Sequence, residues 1–287
     1  RLPTILPDMS WDERLETTRI HDVAGLLEKN TLISRRPFRG PHHTASLASI
    51  IGGGSNAKPG EITLAHNGVL FIDEAPEFPR FILDALRQPL ESHMITVNRL
   101  QNSYEYPAKF ICVLAANPCP CGYYGDPHKE CVCSSTEFMK YQNKISGPIL
   151  DRIDLYISVE RPSFNDMLLT NEDSLSSSDM KDLVERGRNI QLERFKDCTF
   201  KTNGSMPHRA IRELCNIQDD CWNLLSDVYE RFHFTGRSFD RLLKVSRTIA
   251  DMDGSLYVEK EHISEAMLYR HTPFHVSRIG DHDGTTV

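Results

Sequence analysis

A chain of 287 residues, 39% hydrophobic and 25% charged, has the make-up of a globular protein of one large or two modest domains with a sizeable core. Its formal net charge of -7 excludes a globally basic nucleic-acid binder, so any such contact has to come from a local patch or from an assembly. The apolar run at residues 110–116 is far too short to span a bilayer and nothing at the start reads as a signal peptide, so a cytoplasmic, reducing compartment without membrane association is expected.

The chain opens on Arg1, not Met, inside a helix-like pattern, which suggests a fragment of a longer protein. Residues 1–30 read as a helix end, a Pro-bounded turn and a second helix, with Ser10 as N-cap and Glu13 completing a capping box. Residues 35–68 are loop-rich around one short helix, with glycines and prolines on both sides. Residues 69–72 form a strand that is apolar throughout, as expected where both sheet faces are covered. A helix follows at about 79–91, with Phe78, Ile82, Ala85, Leu86 and Leu90 on one face. Two short alternating segments, 93–98 and 103–107, predict a hairpin whose turn carries Arg99 and Asn102. Residues 110–116 give a second buried strand and 151–159 a third. Strand–helix–strand with continuous apolar strands argues for an α/β core with a largely parallel sheet.

After this the character changes. Residues 170–179, TNEDSLSSSD, read as a polar linker. Helices are expected near 180–196, 217–232, 238–252 (stopped by Gly254) and 260–270. The division is therefore an α/β core over 1–170, a linker at 171–179, a helical domain over 180–275 and a tail at 276–287. No internal repeat is found.

Four features carry chemistry. The stretch GVLFIDE ends a buried strand in Asp73 and Glu74. Such a pair fits a Walker B motif, in which the Asp helps to hold hydrated Mg²⁺ and the Glu polarises the attacking water; two solvated acids at a strand end fit the pattern equally. Asn117 ends the strand ICVLAANP at the same sheet edge, where a ligand site forms outside the carboxyl ends of strands; an Asn-Pro turn is the plainer reading. Arg152 in LDRID is either an exposed arginine finger toward a neighbouring subunit's nucleotide or a local partner of Asp151 or Asp154. Arg237 and Arg241, four apart at the start of a helix, are either phosphate ligands or a solvated basic face.

The combination is more specific than its parts. RRPFRGPHHTAS, GEITLAHNGVLFIDE, NPCPCGYYGDP, SGPILDRIDL and GRSFDRLLKVSRTIADM resemble the magnesium-chelatase-like AAA+ ATPases of the ComM/YifB family, and the resemblance runs from Arg1 to about Arg270. It implies an AAA+ core with a helical lid. It also implies Asp73 and Glu74 as Walker B, Asn117 as sensor 1, Arg152 as arginine finger and Arg237 as sensor 2, with ATP and Mg²⁺ as cofactors. The family is associated with ring-shaped, hexameric, ATP-driven DNA helicases that promote branch migration in natural transformation. Residues 36–66 then correspond to a helix-2 insert and 93–107 to a pre-sensor-1 hairpin. Both would face DNA in a ring, with Lys58 and Asn56 in the first and Arg99 and Asn102 in the second as contacts to single-stranded or branched DNA. Two ordinary surface loops remain the alternative.

Of the eight cysteines, Cys119, Cys121, Cys131 and Cys133 cluster, with His128 between the pairs. Four thiolates can supply a tetrahedral Zn²⁺ site, but C-x-C pairs are tighter than the usual spacing, so a metal-free cysteine-rich turn stays open. Cys112, Cys198, Cys215 and Cys221 read as buried thiols.

No G-x-x-x-x-G-K-[ST] phosphate loop occurs within these residues; Lys201-Thr202 follows Phe200, and Lys58 precedes Pro59. The resemblance implies that RLPTILP lies just after that loop, and that a domain similar to the Lon protease fold precedes it. The chain alone is therefore expected to hydrolyse ATP poorly. Two other readings stay open: the ATPase subunit of a magnesium chelatase, and a nucleic-acid-binding module with a degenerate ATP site.

Overall fold

The computed structural model describes residues 2–28, 31–53, 57–98, 103–160, 162 and 175–270. Two compact units emerge: Asp8–Arg152, and the described residues of Arg1–Pro7 with those of Ile153–Val287.

The first unit is α/β. Helix α1 (Trp11–Val23) starts as its sequence dictates: the Ser10 hydroxyl accepts from the Glu13 N–H, and the Glu13 carboxylate accepts from the Ser10 N–H. Strands β1 (Phe38–Arg39), β4 (Val69–Ile72) and β7 (Ile111–Leu114) form a parallel sheet in the order β1-β4-β7. Val69 pairs with Phe38 on one side and Ile111 on the other. Between β1 and β4 lie α2 (Leu47–Ile51), the two-residue strands β2 (Gly52–Gly53) and β3 (Lys58–Pro59), and α3 (Glu61–Leu64). The sequence shows only one helix here, because these pieces are too short for periodicity to register.

Chain entry into β4 is fixed by polar contacts. Asn67 adopts a left-handed backbone (φ 59°) and donates its N–H to the Lys109 carbonyl at 2.7 Å. Arg36 donates to the Asn67 carbonyl at 2.8 Å and pairs with Glu13 at 3.0 Å. Gly68 runs so close to Pro37 that a Cβ would lie 2.0 Å from its carbonyl oxygen, so no side chain fits there.

The helix expected over 79–91 is two, α4 (Arg80–Ala85) and α5 (Arg87–Ser92). Pro89 lacks an N–H and its ring crowds the carbonyl four residues back, which breaks the ladder at Leu86. The buried face is still as read, with Phe78, Ile82 and Leu86 all 2% exposed or less. The hairpin forms as β5 (Met94–Asn98) and β6 (Ser103–Pro107), antiparallel, with Met94 opposite Pro107. Its turn, with Arg99 and Asn102, lies outside the described residues, as do Asn56 and the tail at 276–287. Helices α6 (Ser135–Gln142) and α7 (Gly147–Leu150) complete the unit.

Residues 153–160 are not the third strand that their composition suggests. They pair with no described strand of the sheet, and Leu155, Ile157 and Val159 are exposed. Their tie is to the second unit, where the Tyr156 N–H donates to the Tyr269 carbonyl at 2.8 Å.

That second unit is helical: α8 (Ser177–Arg194), α9 (His208–Leu214), α10 (Cys221–Arg231), α11 (Gly236–Met252) and α12 (Lys260–Leu268). Its core gathers Phe195, Met206, Leu225, Leu242, Leu243 and Ile263 around α11. Helix α11 ends in a Schellman motif: Gly254 (φ 74°) donates to the Asp251 carbonyl at 3.2 Å and Ser255 to the Ala250 carbonyl at 2.8 Å. Burial pushes the Cys215 and Cys221 thiols up to about 12 and about 11, which leaves them unreactive near neutral pH.

Two buried histidines give the α/β unit a pH dependence. His66 accepts the Lys109 N–H on Nδ1 at 3.1 Å and donates from Nε2 to Glu16 at 3.2 Å; His21 lies 3.1 Å from the Leu64 carbonyl. Burial holds both rings below the ordinary imidazole value, against the opposing pull of Glu16 and of the Leu64 carbonyl. Unfolded, each titrates near ~6.5. Between that value and the lowered folded one the unfolded chain binds more protons, so stability is full above ~6.5 and falls below it. The urea midpoint of the unit is expected to drop between pH 7.5 and pH 6.0, and His66→Gln to flatten that slope. An unchanged slope in the variant would remove His66 from the account.

Candidate active site

Asp73 and Glu74 leave the carboxyl end of β4, and Asn117 follows the carboxyl end of its parallel neighbour β7. Two hydrogen bonds carry the pairing past the strand ends. The Ala115 N–H donates to the Ile72 carbonyl at 2.9 Å, and the Ala75 N–H to the Ala115 carbonyl at 2.8 Å. The sheet therefore delivers two carboxylates and an amide to one edge, all exposed. Glu74 adopts a left-handed backbone (φ 48°), and its N–H donates to Asp73 Oδ1 at 2.9 Å. A non-glycine residue in that region is uncommon and marks a backbone held by its surroundings.

A third strand end contributes a residue that the sequence reading passed over. β1 runs parallel to β4, so the PHH segment just after it arrives at the same edge. His43 Nδ1 lies 3.8 Å from Glu74 Oε2, and its ring lies tilted against that of His42 with centroids 4.0 Å apart. The signal was present in RRPFRGPHHTAS, but a two-residue strand does not announce itself. Tyr141 on α6 was missed as well. Its hydroxyl is pushed up to about 12, by burial first and then by the charge of Glu77, while a backbone hydrogen bond from Asn117 pulls the other way. It stays a neutral hydroxyl beside the Asn117 backbone.

Arg152 is not exposed: its side chain is 14% accessible. It pairs with Glu91 on α5 and donates to the Pro148 carbonyl at 2.7 Å. Arg237 is exposed in the first turn of α11 in the second unit, and Arg241 pairs there with Asp154. Lys58 is exposed on β3. The Tyr106 hydroxyl of the hairpin donates to the neighbouring Ala57 carbonyl at 2.7 Å, so the two expected DNA-facing segments are tied together.

The four clustered cysteines converge. Their sulfurs all lie within 4.8 Å of one another, with Cys119 3.4 Å from Cys121 and Cys131 3.6 Å from both. Backbone hydrogen bonds from Tyr123 and Val132 bring the Cys121 thiol down to about 6, while desolvation pushes the Cys133 thiol up to about 12.

The sequence that builds this site is matched by relatives. Residues 1–167 fit the family model for magnesium chelatase, subunit ChlI, and residues 174–270 fit the model for its C-terminal region. The chain belongs to the magnesium-chelatase-like AAA+ proteins of the ComM/YifB family. It is 40% identical over 270 residues to the uncharacterized protein YifB of Escherichia coli, covering 94% of this chain and 52% of that one. To the competence protein ComM of Haemophilus influenzae it is 40% identical over 273 residues, with 94% and 52% covered. YifB of Salmonella typhimurium is 39% identical over 270 residues, with the same coverage. The chain thus spans about half the length of these relatives. The two family models part between residues 167 and 174, whereas the compact units part between Arg152 and Ile153. No helix among the described residues is long and apolar enough to cross a membrane.

Proposed function

We propose that the chain supplies the hydrolytic edge of an ATP site in a cytoplasmic, ring-forming motor that acts on branched or single-stranded DNA. The observation that carries the ATP site is the shared strand edge: Asp73, Glu74 and Asn117 exposed side by side at the ends of two paired parallel strands, with His43 beside Glu74. The donor set suits Mg²⁺–ATP. Asp73 offers hard carboxylate oxygens to an ion that keeps several of its waters, and its solvent-open position leaves room for them. Bound there, the ion would neutralise phosphate charge. Glu74 polarises the attacking water, His43 orients the Glu74 carboxylate, and Asn117 presents its amide toward the terminal phosphate. Arg152 reaches a neighbouring subunit's nucleotide only by exchanging Glu91 for it.

DNA as the substrate rests on two supports: the relative named a competence protein, and Lys58 on a ribbon braced against the hairpin. In a closed ring the same basic position recurs in every subunit, so few cations per chain suffice against a net charge of -7. The magnesium-chelatase family match supports the second reading, an ATPase that serves metal insertion into a porphyrin. The two separate in one assay on the full-length protein. Addition of ATP is expected to displace a strand from a synthetic three-way junction. No displacement, together with ATP turnover raised by a porphyrin-binding partner, would favour the second reading.

A further inference from the structure

We propose that Cys119, Cys121, Cys131 and Cys133 bind one Zn²⁺ in a tetrathiolate site that closes the segment between β7 and α6. The distances carry it. A single ion ~2.3 Å from four sulfurs sets them about 3.8 Å apart along the tetrahedron's edges. The observed separations of 3.4, 3.6 and 3.6 Å, with all four sulfurs within 4.8 Å, match one ion at the centre. They are too long for disulfides, whose sulfurs sit ~2.0 Å apart. An iron–sulfur cluster would hold its cysteines farther apart than a single ion does.

Tight C-x-C spacing was the objection to such a site, and convergence of the two pairs answers it. Gly122 and Gly125, both with φ 81°, turn the chain sharply between them. His128 stands outside the sulfur set, so the ligands are four thiolates. The surroundings are built like a metal site: the Tyr124 N–H donates to Cys119 Sγ at 3.3 Å and Cys119 is fully buried. Backbone donors of this kind orient and charge-balance ligating thiolates.

The site also has a structural task. Residues 115–134 run from the end of β7 to the N-cap of α6 with no helix or strand of their own. A loop that long inside a compact unit needs a device to order it. One ion would fix both ends, since Asn117 lies two residues before Cys119 and α6, with Tyr141, begins two after Cys133. Positioning of Asn117 rests on the ATP site proposed above; metal binding stands on the cysteines alone.

Elemental analysis of the purified full-length protein tests it. About one zinc per chain is expected, with a Cys131→Ser, Cys133→Ser double variant losing at least about tenfold of it. Should that variant fail to fold, cobalt exchange into the wild type decides instead: intense thiolate-to-metal absorption with tetrahedral d–d bands is the expected spectrum. Substoichiometric zinc, iron in its place, zinc retained by the double variant, or an octahedral cobalt spectrum would each overturn the proposal. None of these readouts involves ATP, so the site and the ATPase reading fail separately.

Discussion

Glu74→Gln in the full-length protein is expected to lower ATP turnover by roughly 10²–10⁴-fold, the usual worth of a positioned general base. Nucleotide affinity should change little, because the amide keeps the shape of the carboxylate and Asp73, the proposed Mg²⁺ ligand, keeps its charge. Stability should stay within ~0.5 kcal/mol, since the Glu74 side chain is exposed and its described partner is His43 at 3.8 Å. Loss of kcat with KM preserved identifies a group that acts on the reacting water. A variant that binds nucleotide poorly and unfolds early would assign Glu74 to the fold instead. Turnover unchanged by the substitution would remove it from the chemistry altogether.

Asp251→Ala is the substitution with the largest expected effect on stability. Arg247 and Asp251, one turn apart on α11, are both fully buried. Asp251 receives Arg247 Nε at 3.0 Å, pairs with Arg194, and accepts from Asn203 at 2.8 Å. Arg247 spends its remaining donors on the carbonyls of Cys215, Ser255 and Leu256, at 3.2, 2.6 and 2.9 Å. The guanidinium thus stitches the end of α9 and the turn after α11 to the middle of the bundle. Burial lowers the Arg247 pKa, with Asp251 opposing the shift, so the carboxylate is what makes this cation tolerable. Removing one partner of a buried pair costs about 3–5 kcal/mol. Against a typical total of ~5–15 kcal/mol, that leaves the helical unit marginal or unfolded. Urea denaturation followed by far-UV circular dichroism measures it. His208→Ala, which removes the exposed partner of Asp240, serves as the comparison and should move stability by no more than ~0.5 kcal/mol. Equal midpoints for the two variants would contradict the role given to Asp251.

Sequence patterning exposed those parts of the molecule whose cause is local. The apolar run at β4, the alternation at β5 and β6, the Ser10–Glu13 box and the stop at Gly254 each depend on neighbours within a few positions, and each is found. What stayed hidden depends on partners distant in the chain. β1 is two residues long and exists because β4 accepts it; residues 153–160 look like a strand and have no ladder among the described residues. The break at Pro89 was readable, being a proline inside a helical run, but the apolar face outweighed it. In the site, the strand-end residues Asp73, Glu74 and Asn117 were legible because an apolar run points at them. His43 was not, because its contact with Glu74 crosses from one strand to the next. Arg152 was read as exposed or locally paired, and only a fold shows that Glu91 takes it. The cysteines lay between these cases. Their number suggested a metal and their spacing argued against one, and only the fold shows that their four sulfurs converge.

ATP hydrolysis at this strand edge is proposed to be coupled to DNA. That coupling is tested most directly by the steady-state ATP turnover of the full-length protein with and without branched DNA, wild type beside Glu74→Gln. Turnover is expected to rise several-fold with DNA and to collapse in the variant under both conditions. Turnover indifferent to DNA, or surviving in the variant, would contradict it.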